Sequence, residues 1–208
     1  MFKHIALETL FSEFQNTYST LPSLSPEFTC VAYTLYALAT GESVNLVNTE
    51  VETTLQEFQH IYATLFKRIN KTHPFPDNQS FLSKFPNLRC CTIEPDFMIN
   101  PSSSSFDSII KELKSYLQTF EKSGQFGIYF VSTQEGFSSH MVSLHLSPFG
   151  NSEHKIYDPS LNKFQTFETI DSCCSWLGLL LLFYESNQTD GFKFDSLRFV
   201  RFFTEVSQ

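Results

Sequence analysis

Positive charge is scarce in this chain: 14 Lys and Arg stand against 22 Asp and Glu, a formal net charge of −8. No basic cluster is present to meet a phosphate backbone, which argues against nucleic acid as a partner. Glycine is scarce as well, 7 in 208 residues, while phenylalanine reaches 24. A chain so rich in aromatics buries a core, because disordered chains have few of them. Long apolar runs are missing: the longest, 176–184, is about half of what a bilayer crossing needs, so no integral membrane segment is expected. The opening MFKHIALETLFSEF places polar residues every few positions, so no conventional signal peptide is expected either. Neither CxxC nor a Cys/His zinc spacing occurs, and five cysteines fall at 30, 90, 91, 173 and 174, an odd number containing two adjacent pairs. That pattern speaks for reduced thiols and against a structural metal site. The length suits one domain, 1–208, able to bury a sizeable core.

What is present reads as helices first and strands afterwards. Leu7, Leu10, Phe11, Phe14 and Tyr18 recur at helical spacing. A Pro-broken stretch follows, and then an apolar helical run that begins near Cys30, FTCVAYTLYALA. A third helix opens on the capping-box pattern TEVE at 49–52 and runs through Leu55, Phe58, Tyr62 and Leu65. Residues 71–105, with five prolines and a serine run, predict a long irregular loop that borders the active cleft and moves, and of which about 74–95 can be removed without unfolding the chain. A fourth helix is expected over about 106–121. QFGIYFVST and HMVSLHLS then predict a hairpin across QEGFSS, and HKIYD and KFQTFET a second one around PSLN. An apolar helix over about 171–185 and closing strand material at 192–203 complete the chain. The order predicts an α+β fold, a mainly helical half over 1–125 packed face to face on an antiparallel sheet half over 126–208.

Cys30 at a helix N-terminus raises the question of whether its thiol is core or reagent. A catalytic cysteine needs a histidine base and a third group to hold the ring. Of six histidines, His4 and His60 fall on helix surfaces, His73 sits in the long loop, and His154 lies in a charged, solvated turn. His140 starts a strand directly after a hairpin loop, with His145 on the opposite face. Asp158 ends the next strand, and the hairpin return places its carboxylate beside the ring's Nδ1. The triad Cys30, His140 and Asp158 needs no metal and no cofactor.

The order Cys, His, Asp resembles that of the papain-like cysteine proteases. SSHMVSLHL followed by KIYDPSLNKFQTF looks like the His and Asp segments of the YopT-type bacterial effector proteases, in which a strand-start His precedes a DPN-x-G-x-F-like turn. The likeness spans roughly residues 25–186, with its specific part confined to about 35 of them. It implies a papain-like fold, a thiol protease acting on a host protein, and delivery into the host cytoplasm by a bacterial secretion system. Phe28 stands where the family has Gly, Asn162 stands where it has another Gly, and 24–29 holds no Gln or Asn. Ser25 and the Cys30 backbone N–H are therefore the oxyanion-hole candidates. The same triad also serves transglutaminase, deamidase, deubiquitinase or acyltransferase chemistry. The departures support a third expectation, a catalytically degenerate papain-like binding module.

The remaining candidates read as structure. Cys90, Cys91, Cys173 and Cys174 are expected in the core, as are Trp176, the leucines of 177–182 and the phenylalanines at 192, 194, 199, 202 and 203. Glu94 and Asp96 are expected in a solvated loop.

Overall fold

Stretches with apolar residues every three or four positions form helices here, and alternating or continuously apolar ones form strands. A computed structural model describes residues 7–18, 29–65, 73–74, 84–88, 90–99, 105–120, 124–132, 137–147, 153–186 and 193–203. The helices are α1 (Leu7–Tyr18), α2 (Cys30–Thr40), α3 (Thr49–Leu65), α4 (Phe106–Gln118) and α5 (Ile170–Ser186). The strands are β1 (His73–Pro74), β2 (Cys90–Ile93), β3 (Phe97–Met98), β4 (Gly124–Ser132), β5 (Phe137–Leu146), β6 (His154–Asp158), β7 (Lys163–Phe167) and β8 (Ser196–Phe203). The fold is α+β, and every strand pairing is antiparallel. Strand order is β1-β2-β8-β4-β5-β6-β7, with β3 also on β8, so the last strand enters the middle of the sheet. None of the described helices is long and apolar enough to cross a membrane.

Two expectations need correction. The halves do not simply pack face to face, because the sheet is buried on both sides. Phe126, Ile128 and Phe130 of β4 join Leu113 and Leu117 of α4, Trp176 and Leu180 of α5, and Leu10 and Phe14 of α1. Tyr129 between them joins Tyr33 and Leu35 of α2 and Leu55 and Phe58 of α3. A strand apolar at successive positions must be covered twice, since each large apolar side chain gains about 1.5–3 kcal/mol by burial.

The second correction concerns 71–105. Its described part is not a removable loop: β2 pairs with β8 over four positions and β3 pairs with it over two. Leu88 is buried against α2 and α3, and Asn87 donates to Leu38 O at 2.5 Å. Asp96 is not simply solvated but receives two hydrogen bonds from Arg198 of β8, at 2.9 and 2.7 Å. Short strands flanked by prolines lack periodicity and read as loop. Deleting 74–95 would strip β2 from the sheet, and with β2 on the far side of β8 from β5, it does not border His140.

Smaller differences follow the same logic. The α3 N-terminus is capped one residue earlier than TEVE suggests, by Asn48, whose Oδ1 accepts from Glu50 N–H at 2.9 Å. Cys173 and Cys174 are fully buried, as are Phe194, Phe199 and Phe202, but Leu182 is exposed. The side chains of Cys90, Cys91, Phe192 and Phe203 lie outside the described residues.

Candidate active site

Cys30 is the first residue of α2. Thr29 precedes it as N-cap in extended backbone, its Oγ1 accepting from Ala32 N–H, and its own N–H donates to Gln59 Oε1 of α3 at 3.0 Å. One turn on, the fully buried Thr34 has its hydroxyl 2.8 Å from Cys30 O and 3.0 Å from Met141 O. That hydroxyl ties the Cys30 turn to the strand residue next to His140. Gly41, at φ 73°, ends the helix with its N–H on Ala37 O.

His140 and Asp158 meet through register. Ser143 opposes Tyr157 and Leu144 opposes Ile156, so on that face Asp158 falls diagonal to His140. The β4–β5 ladder shifts register at Phe130, the partner of His140, and such a bulge turns the strand locally. Asp158 Oδ1 lies 3.0 Å from His140 Nε2. The bonded nitrogen is thus Nε2 and not the Nδ1 that the hairpin argument predicts, because the ring enters from a diagonal position. Nδ1 is the ring nitrogen that does not face Asp158. Cys30, half-buried, is near enough to His140 to help raise its pKa. The ring itself is 6% exposed, with Tyr184 4.0 Å away between centroids at an interplanar angle of 32°. Phe130 flanks it at 6.0 Å.

Asp158 is 1% exposed and collects further donors. Tyr18 OH, from the last residue of α1, donates to Oδ2 at 2.5 Å. Tyr184 OH lies 3.0 Å from Oδ1 and 2.9 Å from Oδ2, and Ser160 N–H donates to Oδ1 at 2.9 Å. Burial pushes the carboxyl pKa up, but the charge and hydrogen bond of His140, with Tyr18 and Ser160 N–H behind them, outweigh it and hold it below the ordinary value. Burial opposes the charged form of His140 too, yet Asp158 and, to a smaller extent, Cys30 raise its pKa above the usual 6.5. The carboxylate thus favours the charged form of the ring, and the ring favours the ionised carboxylate.

The turn after Asp158 carries the one non-glycine residue with positive φ among the described residues, Asn162 at 48°. Asparagine tolerates that backbone. Its side chain also docks the segment after α2: Oδ1 accepts from Val44 N–H at 2.9 Å and Nδ2 donates to Val44 O at 2.7 Å.

The sequence reasoning missed Tyr18, Thr34, Tyr184 and Ser160, whose only signal was apolar spacing or turn chemistry. Ser25 and residues 24–28 lie outside the described residues, as does His4, while His60 is exposed on α3 as expected. His154 is corrected: it is 8% exposed on β6, its Nδ1 accepts from Ser147 N–H, and burial lowers its pKa. Among the described residues no three His, Cys, Asp or Glu side chains cluster as metal ligands. No family model, curated protein or solved structure matches this chain.

Proposed function

We propose that this protein is a papain-like thiol hydrolase that attacks a carbonyl of a host protein through Cys30, His140 and Asp158. The observation that carries the reading is the thiol at the start of α2 near a buried histidine that is itself held by a buried carboxylate. His140 takes the Cys30 proton as the sulfur bonds to the carbonyl carbon. The imidazolium then returns that proton to the departing amine, and the C–N bond breaks. Water, deprotonated by His140, attacks the thioester, and the C–S bond breaks to restore the thiol. Asp158 steadies the imidazolium in both halves of the cycle. The Cys30 backbone N–H is the candidate donor for the oxyanion, with Ser25 as the side-chain candidate.

The protein substrate, the bacterial effector role and the host cytoplasm rest on the YopT-type likeness of the His and Asp segments. Transfer to an amine, or release of ammonia from a side-chain amide, uses the same atoms and differs only in the acceptor. A pure binding module is the less economical reading. A buried ion pair costs desolvation, and packed apolar residues would serve a binder as well.

Limiting iodoacetamide at mildly acidic pH, followed by peptide mass mapping, tests the reading. Cys30 should be labelled before Cys173 and Cys174, whose thiols burial pushes up, that of Cys174 to about 12. His140→Ala should slow Cys30 labelling at least tenfold in a folded protein. Equal labelling of Cys30 in both proteins would refute the pair.

A further inference from the structure

Asp158 is bonded more heavily than one imidazole requires, and the excess bonds come from elsewhere in the chain. Oδ1 is engaged by His140 Nε2 and by Ser160 N–H. Tyr184 OH lies almost equally far from Oδ1 and Oδ2 and 2.8 Å from Ser160 Oγ, so its single proton does not select one oxygen. Tyr18 OH approaches Oδ2 alone, at 2.5 Å. A carboxylate turns freely about its last bond unless both oxygens are engaged in defined directions. We propose that Tyr18 is a positioning residue of this site, its hydroxyl pinning Oδ2 so that Oδ1 stays on His140, which makes helix α1 a working part of the catalytic apparatus. The proposal rests on the acyl-transfer reading above.

Packing explains the ring of Tyr18 but not its hydroxyl. Leu10, Phe14 and Tyr18 form the buried stripe of α1. Phe14 lies edge-on to Trp176 at 4.9 Å, and Tyr18 meets Phe183 at 4.7 Å, both partners on α5. A phenylalanine at 18 would fill the same space. The hydroxyl instead enters a buried environment where an unpaired oxygen would be costly, and it ends on the one carboxylate that holds His140. Burial and the charge of Asp158 both raise the Tyr18 pKa, so the group stays a proton donor throughout the pH range in which Cys30 and His140 exchange theirs. Tyr184 is complementary, covering the His140 ring while sharing its proton.

The test is the rate of Cys30 alkylation by iodoacetamide in the full chain across about pH 4–9, for wild type, Tyr18→Phe, Phe14→Leu and His140→Ala. Tyr18→Phe removes one donor and keeps the packing. It should move the acid limb of the profile up by about one pH unit, a rate loss of about tenfold on that limb, with an unchanged circular dichroism spectrum. Phe14→Leu should lower the melting temperature and leave the limb in place. Replacing Tyr18 with 3-fluorotyrosine, a stronger donor of nearly the same shape, should move the limb the other way, and this variant answers the question even if Tyr18→Phe does not fold. A limb that stays at its wild-type position in the folded Tyr18 variants, while His140→Ala loses the reaction, overturns the role of Tyr18 and leaves the triad standing. Alkylation of His140→Ala at the wild-type rate overturns the triad and the Tyr18 role with it.

Discussion

Thr34 joins the Cys30 turn of α2 to the strand that carries His140. Its hydroxyl bridges Cys30 O and Met141 O from a fully buried position. Valine has the same shape but no hydroxyl, so Thr34→Val leaves Met141 O without this donor and frees the first turn of α2 to drift from β5. We expect a loss of about 1–2 kcal/mol in urea unfolding and slower Cys30 alkylation, with Thr34→Ser close to wild type. Thr34→Val alkylating at the wild-type rate would show that helix packing alone sets the thiol. The same scale explains why Tyr18 and Tyr184 escaped notice. A tyrosine in an apolar stripe reads as core, and the reading holds for its ring. Only the hydroxyl carries the other message, and its target is 140 residues away for Tyr18 and 26 for Tyr184.

At the scale of elements, the β6–β7 turn does two jobs. It releases Asp158 at the end of β6, and through Asn162 it grips the segment between α2 and α3. Tyr157 OH adds a third bond, to Asn162 Oδ1 at 2.8 Å. Two substitutions separate backbone from side chain. Asn162→Gly keeps the left-handed conformation accessible and loses the three bonds. Asn162→Ala loses the bonds and is strained at φ 48° besides. We expect Gly to cost about 1–3 kcal/mol and Ala about 1 kcal/mol more, read from urea midpoints. An alanine variant as stable as the glycine one would mean the turn relaxes out of the left-handed region. The asparagine's tolerance of positive φ was legible in the sequence, whereas its partner Val44, 118 residues away, was not.

For the whole molecule, the site lies at one end of the sheet, assembled from both layers that cover it. α2 comes from one face, α1 and α5 from the other, and β5 and β6 from between them. Its charged pair gives the fold a pH dependence whose sign follows from the two shifts. Asp158 is depressed, so its contribution is present above about pH 4 and lost as pH falls through its lower folded value. His140 is raised, so its contribution is complete below the ordinary 6.5 and lost as pH rises through its higher folded value. The stability margin of wild type over Asp158→Asn should therefore be largest between about pH 4 and 6.5 and shrink on both sides. His145 and His154, whose pKa values burial lowers, affect both proteins alike and cancel in the difference. Urea titrations near pH 3, 5.5 and 9 would check this, and a flat margin would mean that the folded pair carries no charge.

Local pattern determined the α+β class, the helices that begin the chain, the two hairpins and the meeting of His140 with Asp158. Periodicity, turn chemistry and strand alternation act over a few positions, and a strand His with an Asp at the next strand's end is readable at that range, although the strand starts at Phe137 and not, as expected, at His140. The tertiary structure alone decided the rest. It set which faces of the sheet are covered, because a continuously apolar strand does not say what lies on each side. It placed Cys90–Ile93 and Phe97–Met98 as strands, because such short segments gain their hydrogen bonds only from β8, about a hundred residues on. It chose Nε2 over Nδ1, because ring orientation depends on the diagonal register and on Tyr184 lying across the ring. It also brought the Tyr18 hydroxyl to Asp158, because a buried donor is matched to its acceptor only when the distant elements carrying them have packed.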